Sequence, residues 1–151
     1  MARPPSLDDI DLAIIEQLQH DGRLPYTKLG AAVGLSEAAV RQRVQRLLDL
    51  NVMQVVAVTD PLSLGRRRVA MVGMKVEGEV GPAAEKVGAL EGVEYVVMTA
   101  GSFDILAEVV AVDDDALLAL ISNIRNVPGV RSTESFIYLR LAKQTFSWGA
   151  R

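Results

Sequence analysis

Six side chains in one short stretch, Ser36, Ala38, Arg41, Gln42, Gln45 and Arg46, have types and spacing suited to reading base-pair edges. Arginine forks onto the two acceptors of guanine, and glutamine pairs with adenine, both in the major groove. A small residue such as Ala38 lets the backbone approach closely or touches a thymine methyl. A serine at a helix start, with the free amides beside it, suits a phosphate. At about 100° per residue Ala38, Arg41, Gln42, Gln45 and Arg46 share one side of a helix, opposite an apolar stripe of Val40, Val44 and Leu47. Arg43 falls at the edge of that stripe. Arg and Gln are also good helix formers, so the face alone reads more readily as ordinary solvated surface. The elements around it must decide.

Other chemistry is sparse. The 151 residues contain no cysteine and one histidine. That excludes disulfides, cysteine-ligated zinc, iron–sulfur clusters and cysteine nucleophiles. A Ser-His-Asp triad would have to run through His20, which reads instead as a cation favoured at the end of a helix. Asp113, Asp114 and Asp115 read as the capped start of a helix rather than a cation site. No phosphate-binding loop is present. The chain is therefore expected to be no enzyme and to carry no cofactor and no metal. No apolar run reaches the roughly 18 residues of a membrane span, and MARPPSLDD lacks the apolar core of a secretory signal, so a cytoplasmic location is expected.

The positioning elements follow from periodicity. A first helix starts at Asp8 or Asp9, carries Ile10, Ile14, Ile15 and Leu18, and ends at His20-Asp21-Gly22, with Gly22 as a left-handed cap. Pro25 opens a short second helix, Tyr26 to about Val33, which Gly34 breaks. Ser36 caps a third helix running to about Leu50, where Asn51 takes the left-handed conformation. Three helices with a Ser-capped third make a helix-turn-helix, and VMQVVAVTD after them reads as a short strand, a possible wing.

From Val69 the pattern changes to strand (VAMVGMKVE), helix (Pro82 to Leu90), strand (VEYVVMTA), Gly101-Ser102 turn, strand (FDILAEVVA), helix (Asp114 to Arg125) and strand (VRSTESFIYLRLA). The order β-α-β-β-α-β is ferredoxin-like, and Gly92-Val93 and Gly129-Val130 mark its internal repeat. Both alternating sets hold apolar residues: Ala70, Val72, Met74 and Val76 against Val69 and Met71 in VAMVGMKVE, and Phe103, Ile105 and Val109 against Leu106 and Val110 in FDILAEVVA. Two helices cover one face of a four-stranded sheet, so the other face is expected to meet a second copy. The tail QTFSWGAR, with Trp148 as a packing anchor, or the N-terminal helices are the alternative cover. The expected organisation is a 1–60 helix-turn-helix domain, a 61–68 linker, a 69–144 ferredoxin-like domain and a 145–151 tail, an α+β chain. In the linker, Arg66-Arg67-Arg68 reads equally as a phosphate contact or as solvated surface. Phe136 and Tyr138 are interface or core, while Ser132, Thr133 and Glu134 could line a pocket between subunits.

The opening half resembles the DNA-binding domain of the Lrp/AsnC (leucine-responsive regulatory protein) family. The resemblance rests on Leu7, Asp8 and Asp11 before Ile14; Asp21-Gly22-Arg23; Leu29; Gly34-Leu35-Ser36; and Val40, Arg43, Val44, Arg46, Leu47 with Val52. With the second domain it covers about residues 6 to 143. Asn51 stands where the family usually has Gly, and Gly30 where it usually has Ala. The resemblance implies a transcriptional regulator with an amino-acid effector bound near TAGSFDI, that is Thr99, Ala100, Gly101, Ser102, Phe103 and Asp104. There the family's Gly-Asp-Tyr-Asp turn becomes Gly-Ser-Phe-Asp, which removes one of two carboxylates that would hold an ammonium.

The expected partners are double-stranded DNA, a small-molecule effector and further copies of the chain, a homodimer or a higher oligomer such as an octamer. The competing readings are a DNA-bridging architectural protein with little sequence preference and a ferredoxin-like enzyme. Net charge is −3, and residues 1–60 hold 6 basic against 8 acidic side chains. The third helix holds three Arg against Glu37 and Asp49, and the acids of the first helix are expected to lie away from the groove. Non-specific affinity for DNA is then modest.

Overall fold

A computed structural model describes residues 6–59, 64–65 and 68–144. The chain divides into two compact units, one up to Ala57 and one over Val58–Ala142.

The first unit holds α1 (Asp9–His20), α2 (Tyr26–Val33) and α3 (Glu37–Asp49). Helix α1 begins in a capping box: Asp11 N donates to Asp8 Oδ1 at 2.8 Å, and Asp8 N donates back to Asp11 Oδ2 at 3.3 Å. Gly34 closes α2 with φ 73°, a conformation glycine adopts without a Cβ penalty. Ser36 Oγ accepts from Ala39 N at 3.3 Å and so starts α3. Ile14, Leu29, Val40, Val44 and Leu47 are fully or almost fully buried between the three helices. Each such side chain contributes about 1.5–3 kcal/mol relative to exposure.

Two expectations for this unit fail. Gly22 is not left-handed: α1 ends at an extended Asp21 (φ −145°), whose carboxylate accepts from Arg23 N at 2.9 Å. The aspartate turns the chain through its own side chain, so no special backbone is needed. The anticipated strand is also missing over residues 52–59, and Asp60 lies outside the described residues. Val55, Val56 and Val58 are exposed there. A lone extended run has no ladder for its amides, and β-propensity alone does not supply one. Asn51 does take the left-handed conformation, with φ 53°.

The second unit holds β1 (Arg68–Val76), α4 (Val80–Gly88), β2 (Val93–Met98), β3 (Ile105–Ala111), α5 (Asp114–Arg125) and β4 (Val130–Ile137). The sheet order is β2-β3-β1-β4, with each neighbouring pair antiparallel. This is the ferredoxin-like arrangement. The internal repeat is visible in its hydrogen bonds. Gly92 O accepts from Val110 N, and Gly129 O accepts from Glu77 N, each at 2.8 Å. Each half thus returns from its helix to the sheet through the same bond.

Ala70, Val72 and Met74 of β1 and Ile105, Ala107 and Val109 of β3 face α4 and α5 in the buried core. The alternate residues face the other way. Register pairs Met71 with Glu108 and Phe136, and Gly73 with Leu106 and Glu134. On that second face Phe136 and Tyr95 are exposed. Phe103 belongs to it as well, and not, as strand alternation suggested, to the Ile105 set. Residue 103 lies in the turn before β3, so the period of two does not extend to it.

Candidate nucleic-acid interface and ligand turn

Helix α3 buries Val40, Val44 and Leu47 and turns the other side outward. Ser36, Ala38, Arg41, Gln42, Gln45 and Arg46 stand on that outward side, but their partners differ. Gln42 makes no hydrogen bond or ion pair among the described residues. Gln45 Nε2 donates to Asp49 Oδ1 at 2.8 Å. Arg41 Nη2 donates to Glu37 Oε1 at 2.7 Å, and its guanidinium lies 5.2 Å from the centre of the Tyr26 ring. Its side chain is still 64% exposed.

The other two arginines are committed to α1. Arg43 Nη1 donates to both oxygens of Asp8, at 2.9 and 2.8 Å, and to Asp11 Oδ1 at 2.7 Å. Arg46 Nη1 donates to Asp11 Oδ2 at 3.0 Å, and Nη2 to the Ser6 carbonyl at 3.1 Å. Asp11 is 1% exposed, whereas the side chains of Arg43 and Arg46 are 28% and 44% exposed. A carboxylate so buried is tolerable only when paired, and two guanidinium groups meet that need. The Asp11 amide, then Arg43, hold the Asp8 carboxyl below its usual 3.8, and the two aspartates raise Arg43 in turn. Asp8 and Asp11 therefore do not lie away from α3, against the expectation from sequence. They neutralise two of its three cations. Helical periodicity within α3 carried no sign of this, because the partners lie 32–35 residues away. Tyr26 was missed for the same reason.

The turn 99–104 is anchored at both ends. Thr99 N donates to Asp104 O at 2.9 Å, and Thr99 Oγ1 donates to Phe103 O. Asp104 N donates to Met74 O at 2.9 Å, and Asp104 Oδ2 accepts from Val76 N at 2.8 Å, where the β1–β4 register shifts. One oxygen of the remaining carboxylate is thus spent on the backbone. Between the anchors, the amides of Ala100, Gly101, Ser102 and Phe103 donate to no group among the described residues. Phe103 folds back over Gly73, where an added Cβ would meet its ring at 2.7 Å. Its ring meets Phe136 edge-on, with centroids 6.1 Å apart. An unexplained glycine inside an apolar strand was the sequence signal for that close approach.

Strand alternation divides the three β4 candidates. Ser132 pairs with Lys75 and Glu134 with Gly73, on the Phe103 side, while Thr133 pairs with Met74 on the helix side. Thr133 Oγ1 accepts from Arg125 Nε at 3.0 Å. A cavity of about 300 Å3 opens there, lined by Arg125, Val130, Arg131, Ser132 and Thr133. It includes neither Glu134 nor the turn. Tyr138 is raised by burial and by the Glu108 carboxylate.

The remaining candidates are accounted for locally. His20 lies in the last turn of α1. Asp113 caps α5, accepting from Ala116 N at 2.8 Å, and Asp114 pairs with Arg68. Arg66, Arg67 and Trp148 lie outside the described residues. Among the described residues no helix is long and apolar enough to cross a membrane.

Comparison with known proteins agrees with both halves. A family profile for the AsnC-type helix-turn-helix domain matches residues 7–48, and one for a C-terminal dimeric alpha+beta barrel domain matches residues 66–151. The HTH-type transcriptional regulator LysM of Sulfurisphaera tokodaii is 33% identical over 135 residues, 89% of this chain and 96% of that protein. Regulator FL11 of Pyrococcus abyssi is 30% identical over 142 residues, 93% of this chain and 94% of its own. Among solved structures, a feast or famine regulatory protein of M. tuberculosis complexed with L-methionine superposes with TM-score 0.83 at 30% identity, covering 92% of this chain and 96% of that one. The 24% identical AsnC of E. coli, TM-score 0.81 over 95% of this chain and 99% of its own, shares the fold. With both domains matched in order along the chain, this protein belongs to the Lrp/AsnC family of transcriptional regulators.

Proposed function

We propose that this regulator places α3 in the major groove of an operator as part of a dimer. The outward polar face of α3 beside the Ser36 cap carries this reading. Arg41, Gln42 and Gln45 contact base edges, Ala38 allows close approach, and Ser36 meets a phosphate. Arg46, fixed by Asp11 and Ser6, acts as a positive charge toward the phosphate backbone rather than a free fork for a base. The dimer forms through the sheet face that α4 and α5 leave uncovered, and dimers assemble further in the cytoplasm.

The effector is a free amino acid or related small metabolite at an interface between copies. The unpartnered amides of Ala100 to Phe103 suit its carboxylate, and the second oxygen of Asp104 suits its ammonium. Ser132 and Glu134, on the face that carries Phe103, complete the lining, whereas Thr133 points to the helix side and takes no part; the Phe103 ring takes an apolar side chain. The relative solved with L-methionine supports an amino-acid ligand. For the ligand to regulate, it must bind one arrangement of the assembly better, and such coupling is typically about 5- to 150-fold in affinity.

The test is a gel shift on DNA flanking the gene, with and without a panel of amino acids. Binding at low salt that Gln42→Ala weakens, and that one amino acid shifts, is the expected result. No shift at low salt would sink the operator reading, and indifference to every amino acid would sink the effector reading.

A further inference from the structure

Helix α3 carries three arginines, and the structure separates them by what each would give up to reach a base. Arg43 and Arg46 are bound to the Asp8–Asp11 pair of another helix, and Asp11 is buried. Releasing either one weakens the pairing of a buried carboxylate. Arg41 is bound to Glu37, one turn away on the same exposed face. An exposed pair at that spacing is worth only about a two-fold effect on an equilibrium, whereas a bidentate arginine–guanine contact discriminates by about 5- to 150-fold. Arg41 therefore gains by exchanging Glu37 for a base.

Its orientation is already restricted. The guanidinium sits 5.2 Å from the Tyr26 ring centre. Tyr26 is the first residue of α2, half-buried, and packs against the three-helix core. An aromatic face limits the rotamers of a long side chain and leaves the edge of the guanidinium fork free, because the contact uses the π-face. Arg41 also lies in the N-terminal half of α3, the part of a recognition helix that reaches base edges.

We infer that Arg41 is the specificity-determining guanine reader of this regulator and that Tyr26, on the preceding helix, is its positioning residue. This rests on α3 being the reading helix. The tyrosine ring, rather than its hydroxyl, does the positioning.

The experiment uses the full-length chain to select its preferred duplex from a randomised pool. Affinities are then measured for that duplex, for versions with each G·C pair replaced by A·T, and for versions with 7-deazaguanine, which lacks one guanine acceptor. The parent is expected to lose about 5- to 150-fold at one G·C pair in each half-site. Arg41→Lys, which keeps the charge but not the fork, is expected to lose that discrimination while retaining its affinity for non-specific DNA. Tyr26→Leu, which keeps the apolar packing, should lose part of it, and Tyr26→Phe should retain it. Undiminished discrimination at every guanine in Arg41→Lys would overturn the inference, as would equal discrimination in Tyr26→Leu and the parent. If Gln42→Ala alters sequence preference while Arg41→Lys does not, the reading helix stands and only this assignment falls. Selection of no sequence overturns both.

Discussion

Among the described residues, Asp11 is the buried charge on which the DNA-binding unit depends. Its carboxylate joins the start of α1 to two arginines of α3, so α3 is held in place by α1. Asp11→Ala leaves Arg43 and Arg46 without their shared partner and is expected to cost about 2–3 kcal/mol in urea unfolding of the full chain. Arg46→Ala should cost less, because Asp11 keeps Arg43. Asp8 adds a pH dependence. Its folded carboxyl titrates below 3.8, held there by the Asp11 amide and Arg43. The unfolded state then binds more protons in acid, so this contribution is complete near neutrality and is lost as pH falls through the folded value. Stability curves of the parent and Asp8→Asn should converge on acidification, and a constant gap would contradict the pairing. Gln42, with no partner to lose among the described residues, is the opposite case. Gln42→Ala should weaken operator binding about 5- to 150-fold while leaving stability within about 0.5 kcal/mol.

At the level of elements, helices and caps were legible because their signals are local. Ser36, Asp113, Gly34 and Asn51 act within a few residues of themselves, and each stands at its expected terminus. One cap failed locally, since the Asp21 side chain turns the chain without a left-handed Gly22, and two other failures were at places where a nonlocal partner decides. The run over residues 52–59 has strand composition but no neighbouring strand among the described residues. Phe103 follows the turn rather than the alternation of β3, because Gly73 leaves room for its ring on the uncovered face. That last contact makes a prediction about the ligand turn. Gly73→Ala would put a methyl against the ring, displacing Phe103 and the amides before it. Amino-acid binding, measured by calorimetry, should fall. In a double-mutant cycle, Gly73→Ala and Phe103→Leu should couple by more than about 0.5 kcal/mol, since the smaller side chain relieves the clash. Additivity would show that the ring does not rest on Gly73.

At the scale of the whole molecule, the sheet face carrying Met71, Leu106, Tyr95 and Phe136 has no cover from α4 or α5. A double substitution Met71→Glu with Phe136→Glu is expected to shift sedimentation to a smaller species with the domain still folded. Operator affinity should fall about 100-fold or more, because two heads on one assembly bind with an effective concentration that separate heads lack. An unchanged sedimentation coefficient would show that the assembly uses another face. The sequence by itself determined the helix-turn-helix followed by a ferredoxin-like fold and the doubly apolar sheet, because hydrophobic period and capping chemistry are properties of consecutive residues. Which arginines of α3 are committed to a buried carboxylate was decided only by tertiary structure. Asp8 and Asp11 lie 32–35 residues from the arginines they hold, and Tyr26 lies on the preceding helix, yet all are adjacent to α3 in space; a charge is strong or spent according to the groups packed around it.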